Sequence, residues 1–205
     1  MSQSTVGTPA PVFAEPTPLG LIGLALGCAA LTPIAFGASL TPAGFRTAAM
    51  FCLLFGCGCQ MLAGLMCFAN KNVFGGTLFT AFAFNWLLNS WTLDLLAQGT
   101  VLDHTVVLAT DVAALVIFIV MTYGFGFFSK LLFIFLVDID LIYICRVGRG
   151  VFEVRFLDLP LAILTVALAV VSLWIAFAML INPVAGRTVF PVSGPLFTPR
   201  KPSGS

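Results

Sequence analysis

Six apolar runs of membrane-crossing length, divided by short polar breaks, constrain this chain more than any other feature of its sequence. Lipid offers a backbone no water to bond, so a spanning segment must satisfy its own amides, as a helix does. About 20 mostly apolar residues cross the hydrocarbon. The runs cover residues 19–40, 45–68, 78–96, 105–128, 131–145 and 157–181. Turn residues and charges interrupt them at Thr41-Pro42, Asn70-Lys71-Asn72, Gln98-Gly99, Ser129-Lys130 and a basic stretch over 146–155. The expected fold is an all-α integral membrane protein, a six-transmembrane-helix bundle over residues 19–181. A disordered N-terminal tail, 1–18, precedes it and a C-terminal tail, 182–205, follows.

Charge and cysteine usage exclude several classes. Charged residues make up 8% of the chain, against about 25% in soluble domains. A formal net charge of +1 provides no basic surface for nucleic acid, which leaves the bilayer and further copies of the chain as partners. The first twenty residues hold no Lys or Arg, so they lack the positive region of a cleaved secretory signal. The six cysteines lie in apolar runs without the paired spacing or nearby His of a zinc site. Neither a metal nor a cofactor is expected. No enzyme chemistry is expected either: His104, the one histidine, sits in a loop beside Asp103 with no nucleophile or phosphate-binding loop.

Basic residues do not orient the bundle. Lys71, Lys130, Arg187, Arg200 and Lys201 fall on one side, and Arg46, Arg146, Arg149 and Arg155 on the other; the positive-inside rule needs a larger asymmetry. Gly20, Gly23 and Gly27 in the first run, and Gly56 and Gly64 in the second, allow close backbone approach, a main source of helix attraction in lipid.

Three sets of polar residues fall where lipid makes them expensive. Phe82, Asn85 and Asn89 share one face of the third run. Two roles fit this stripe, hydration of a pore and hydrogen bonding to neighbouring helices, with Gln60 a weaker third amide. Asp111 lies about two turns inside the fourth run, a position compatible with the headgroup region. Asp138 and Asp140 occupy the centre of the fifth. Each central Asp costs about 2.5–3.5 kcal/mol to insert, and the apolar residues around the pair offset roughly that amount. Insertion is therefore marginal without neighbouring helices, water or protonation. Residues two apart point about 200° apart on a helix, so the two acids cannot line one narrow pore together.

Three stretches carry a resemblance to a known family. Glu15-Pro16-Thr17-Pro18-Leu19-Gly20 opens the first run. Gln60-Met61-Leu62-Ala63-Gly64-Leu65, Asn72-Val73-Phe74-Gly75-Gly76-Thr77 and Phe84-Asn85-Trp86-Leu87 follow in order. Gly186-Arg187-Thr188-Val189-Phe190-Pro191 closes the last run. Together they resemble the acetate uptake transporter family, the succinate-acetate permeases and their yeast relatives linked to acetate and ammonia movement. The family's opening motif is Asn-Pro-Ala-Pro-Leu-Gly, so Pro16, Pro18, Leu19 and Gly20 are kept and the leading Asn and the Ala are not.

The resemblance implies a protomer of six helices, usually assembled as a homo-hexamer, in the cell membrane. It implies passage of small monocarboxylates such as acetate, with succinate in some members, by proton symport or a channel-like route. The family's apolar constriction of Phe, Tyr and Leu corresponds here to Leu24, Phe82 and a position near Val137 or Asp138. Losing the Tyr hydroxyl at Phe82 removes a polar handle on a carboxylate, which Asn85 one turn away can replace. An ionised Asp about 4 Å from a carboxylate repels it by roughly 4 kcal/mol at an effective dielectric of about 20. A protonated Asp138 removes that repulsion, so Asp138, with Asp140 and Asp111, is a proton-coupling candidate. The same carboxylates suit an ammonium or other weak-base transporter, or a structural membrane subunit whose acids pair with a partner's bases.

Overall fold

A computed structural model describes residues 11–198, and every regular element among them is helical. The helices are α1 (Thr17–Ala35), α2 (Pro42–Ala69), α3 (Val73–Ala97), α4 (His104–Phe125), α5 (Lys130–Phe152) and α6 (Asp158–Ala185). Four of them, α1, α2, α4 and α6, are long and apolar enough to cross a membrane. The remaining two are of similar length, but Asn85 and Asn89 dilute α3, and Asp138, Asp140 and Arg146 interrupt α5.

Local chemistry sets the boundaries. The side chains of Thr41, Asn72, Asp103 and Ser129 each accept a backbone N–H in the first turn of α2, α3, α4 and α5, at 2.9–3.1 Å, meeting donors that a helix start leaves unpaired. Pro18 stands in the first turn of α1, where its missing N–H costs nothing. At the other ends, Gly37 and Gly186 adopt the left-handed backbone, with φ of +73° and +61°.

Three expectations are corrected. The first span stops at Ala35, not residue 40, because the Ala38 and Ser39 amides turn back onto the Pro33 carbonyl. The fifth is not short: α5 runs through Arg146 and Arg149 to Phe152, and the break falls at Glu153, whose φ is +53°. The helix tolerates those arginines because Asp111 binds one and Asp158 the other. His104 opens α4 and does not sit in a loop.

Within α2, Cys52–Cys59 is π-helical, a widened winding found often at functional sites. It coincides with close helix approaches. A Cβ built on Gly23 would meet Cys59 Cβ at 2.4 Å and the Phe55 carbonyl at 2.5 Å. Trp86 is clamped between Gly27 and Gly56, where a Cβ would stand 2.8 and 2.5 Å from its indole. The glycine stripes thus let α1 lie against α2 and α3, and α1 also packs extensively on α6.

Residues 1–10, most of the expected N-terminal tail, lie outside the described residues, as do 199–205 with Arg200 and Lys201. Phe13 is held at both its amide and its carbonyl by the Asn70 side chain, at 2.9 and 3.0 Å. In the last turn of α6, Asn182 accepts from the Val189 and Phe190 amides and donates to the Phe190 carbonyl. This clip aims the chain back across the α4–α5 turn, where the Leu196 and Phe197 amides bond Gly126 and Phe197 packs on Tyr123, Phe127 and Phe133.

Candidate functional site

Side chains from α1, α3, α5 and α6 enclose two cavities. One, about 160 Å³, is lined by Glu15, Leu21, Asn72, Phe79, Phe135 and Ile175 among others. The other, about 200 Å³, is lined by Cys28, Phe82, Asn85, Asn89, Tyr143 and Arg146 among others. Successive turns of the same helices reach first one and then the other: Leu21 then Cys28, Phe79 then Phe82, Phe135 then Ile139, Ile175 then Leu168. The cavities therefore lie end to end along one axis. Leu24, Phe135 and Ile139, each 1% exposed, and Phe82, at 5%, pack in the layer between them.

The amide stripe is the part of the expected site that the fold assembles. Phe82, Asn85 and Asn89 all line the second cavity. Tyr143 points its hydroxyl at Asn85 Oδ1, 3.4 Å away, and its ring continues an aromatic chain through Phe118 to Phe82, with centroids 5.2 and 4.8 Å apart. Leu24 belongs to the same buried apolar cluster as Phe82 and Ile139.

On α5 the expected third constriction residue is displaced. Leu132, Phe135, Ile139, Tyr143 and Arg146 line the cavities and recur at three- and four-residue spacing, one helix face. Val137 lies on the far side of that face, half-buried. Asp138 and Asp140 flank it, about 100° to either side at 3.6 residues per turn, and neither is among the residues lining a cavity. Both acids are buried. Asp140 Oδ2 accepts from the Thr122 hydroxyl of α4 at 2.7 Å, whereas Asp140 Oδ1 and Asp138 Oδ2 have no hydrogen-bond partner among the described residues.

Asp111 is 7% exposed and bound along one edge of the Arg146 guanidinium, with Nε to Oδ2 at 3.0 Å and Nη2 to Oδ1 at 2.8 Å. Arg146 also lies over the Tyr143 ring, 5.3 Å from its centre. It joins the second cavity to an outer vestibule of about 490 Å³ lined by His104, Asp111, Arg149, Glu153, Arg155 and Asp158 among others. Tyr143 and Arg146 were not singled out from the sequence. Their signal is the four- and seven-residue spacing from Ile139: Tyr143 lies within the expected run, and Arg146 joins it once α5 extends past Cys145.

The motif residues mostly fasten the bundle. The Pro16 carbonyl accepts from the Leu19 and Gly20 amides, and Gly20 admits Phe79. Leu19, on the same first turn, is 38% exposed. Phe74 packs edge-on against Phe125 and Phe128. Gly75 faces the Asn72 side chain and Cys67, Gly186 terminates α6, and Arg187 is exposed. Gln60 is the exception: fully buried in α2, with no partner for its amide oxygen or nitrogen among the described residues.

No protein-family model and no curated protein sequence matches the chain. Among solved structures, that of the bacterial acetate channel SatP is similar, with a TM-score of 0.79 at 20% identity, covering 88% of this chain and 99% of that one. At this identity the likeness is one of fold: the chain has the helical membrane-bundle architecture of that channel.

Proposed function

We propose that the protein is a membrane channel or permease for acetate and other small monocarboxylates, resident in the cell membrane as a homo-oligomer, with the hexamer that the sequence resemblance implies. All six helices cross the bilayer in this reading, α3 and α5 sheltering their polar side chains inside the bundle. One observation carries it: two cavities stand in line through a bundle with the fold of an acetate channel, closed from each other by one apolar layer. A thin layer admits a small solute that sheds its water briefly, and larger hydrated ions stay out. Asn85, Asn89 and the Tyr143 hydroxyl offer donors and acceptors in place of that water. Among the described residues Arg146 is the one charged side chain lining the inner cavity, which favours a carboxylate over ammonium.

Asp138 and Asp140 serve proton coupling in this reading, because each keeps a buried oxygen without a partner among the described residues, beside the proposed path. Asp111 is removed from that role, since Arg146 engages both its oxygens. The test is flux of acetate, succinate and ammonium into liposomes containing the purified protein at several pH values. Acetate uptake above that of empty liposomes is expected; absence of flux for every solute would sink the transport reading, and ammonium flux alone would replace it with weak-base transport.

A further inference from the structure

We propose that Arg146 is the carboxylate-recognition residue of the path and that Asp111 is an internal competitor that keeps its grip weak. The inference rests on the carboxylate reading and names the group within that site that selects the solute. Its geometric basis is the position of Arg146 at the junction of the vestibule and the inner cavity, lining both. Asp111 occupies only the Nε–Nη2 edge of the guanidinium. Nη1 makes no hydrogen bond to any described residue. A planar guanidinium holds a fixed fork of donors suited to carboxylates, so the unoccupied Nη1 side can receive a second one. The Tyr143 ring beneath it fixes the plane, and the Asn85 and Asn89 amides share the cavity into which a bound carboxylate extends. Its methyl group then meets Phe82 and the apolar layer.

Charge elsewhere in the vestibule does not select an anion. Arg146, Arg149 and Arg155 face Asp111, Glu153 and Asp158, three cations against three carboxylates, and Arg149 is held by Asp158 at 2.9 Å. Selection must come from local geometry, and Arg146 is the cation that reaches the inner cavity. A conducting site must also release its solute. Asp111 supplies that release by sharing the positive charge, so an arriving carboxylate binds to a half-neutralised guanidinium and departs.

The roles separate in kinetics and in binding. Acetate and acetamide have nearly the same shape, but only acetate is an anion. In liposomes containing full-length protein, Arg146→Met should raise the half-saturating acetate concentration by about tenfold or more, equivalent to about 1.4 kcal/mol, with acetamide permeation unchanged. Asp111→Asn should do the reverse for acetate, lowering both the half-saturating concentration and the maximal flux. The double variant Asp111→Asn with Arg146→Gln leaves no unpaired charge and should match Arg146→Met if the single variant folds poorly. Acetate-induced thermal stabilisation in detergent, which requires no transport, should vanish with Arg146→Met and strengthen with Asp111→Asn. The proposal is overturned if acetate kinetics and stabilisation are unchanged in folded Arg146 variants. It is also overturned if acetate and acetamide fluxes fall together, the mark of a merely structural ion pair. Acetate stabilisation that depends on Arg146, without flux of any solute, would uphold the site and overturn the transport reading alone.

Discussion

Replacing Gly56 by Ala tests how the bundle shapes its inner cavity. The added Cβ would stand 2.5 Å from Cδ2 of Trp86 and 2.6 Å from its Cγ. Ordinary contact begins at 3.4 Å, so the indole must retreat by about 1 Å. These atoms lie at the root of the ring and cannot swing aside as a flexible tip would. Gly27 blocks retreat at the far edge, where a Cβ already would stand 2.8 Å from the ring, so the remaining way out is toward the cavity that Trp86 lines. Overpacking of this kind costs about 1–3 kcal/mol. At about 2–4 °C per kcal/mol for a chain of this size, the melting temperature in detergent should fall by about 2–12 °C. Acetate flux should fall with it. Adding Trp86→Phe, which removes the bulk that collides, should restore at least half of both losses. An unchanged melting temperature and flux in Gly56→Ala would refute the reasoning, as would a loss that the smaller ring does not relieve.

Further outcomes follow from single contacts. Thr122→Val removes the hydrogen bond to the Asp140 carboxylate and should destabilise the protein by about 1–3 kcal/mol, measured by thermal unfolding, while Thr122→Ser restores it. Asp138→Asn makes that side chain permanently neutral; acetate flux should persist but lose its pH dependence, and a profile like the parent's would end the proton-carrier role. Leu24→Ala thins the layer between the cavities and should raise flux of a longer monocarboxylate such as butyrate relative to acetate, measured as a ratio of uptake rates. Asn182→Ala deletes three hydrogen bonds to Val189 and Phe190 and should speed amide exchange across 186–197 without altering the helices.

The helices and their capping residues were legible because they depend on neighbours in sequence. Apolar runs announce spans wherever nothing polar interrupts them, and the breaks read at Thr41, Asn72 and Ser129 fall where those side chains bond the first turns of their helices. The same logic misjudged α5. Arg146 and Arg149 read as a loop because charges in lipid are expensive, and the carboxylates that accommodate them come from α4 and α6, 35 and 9 residues away in the chain. Ending the span at Cys145 then left Arg146 off the face that runs from Ile139 through Tyr143.

Composition and periodicity by themselves determined that this chain forms apolar helices, that Phe82, Asn85 and Asn89 share one face, and that Asp138 and Asp140 diverge. Each of these follows from helical geometry and the cost of polar groups in lipid, which act locally. Only the tertiary structure decided which faces meet. It turned Val137 away from the cavity-lining face of α5, buried both central acids on its flanks, bound Asp111 to Arg146 and placed that arginine between vestibule and cavity. Those outcomes depend on how α1, α3, α4, α5 and α6 rotate about their axes as they pack. That rotation is set by glycine contacts and ion pairs between distant residues, which no local pattern along the chain encodes.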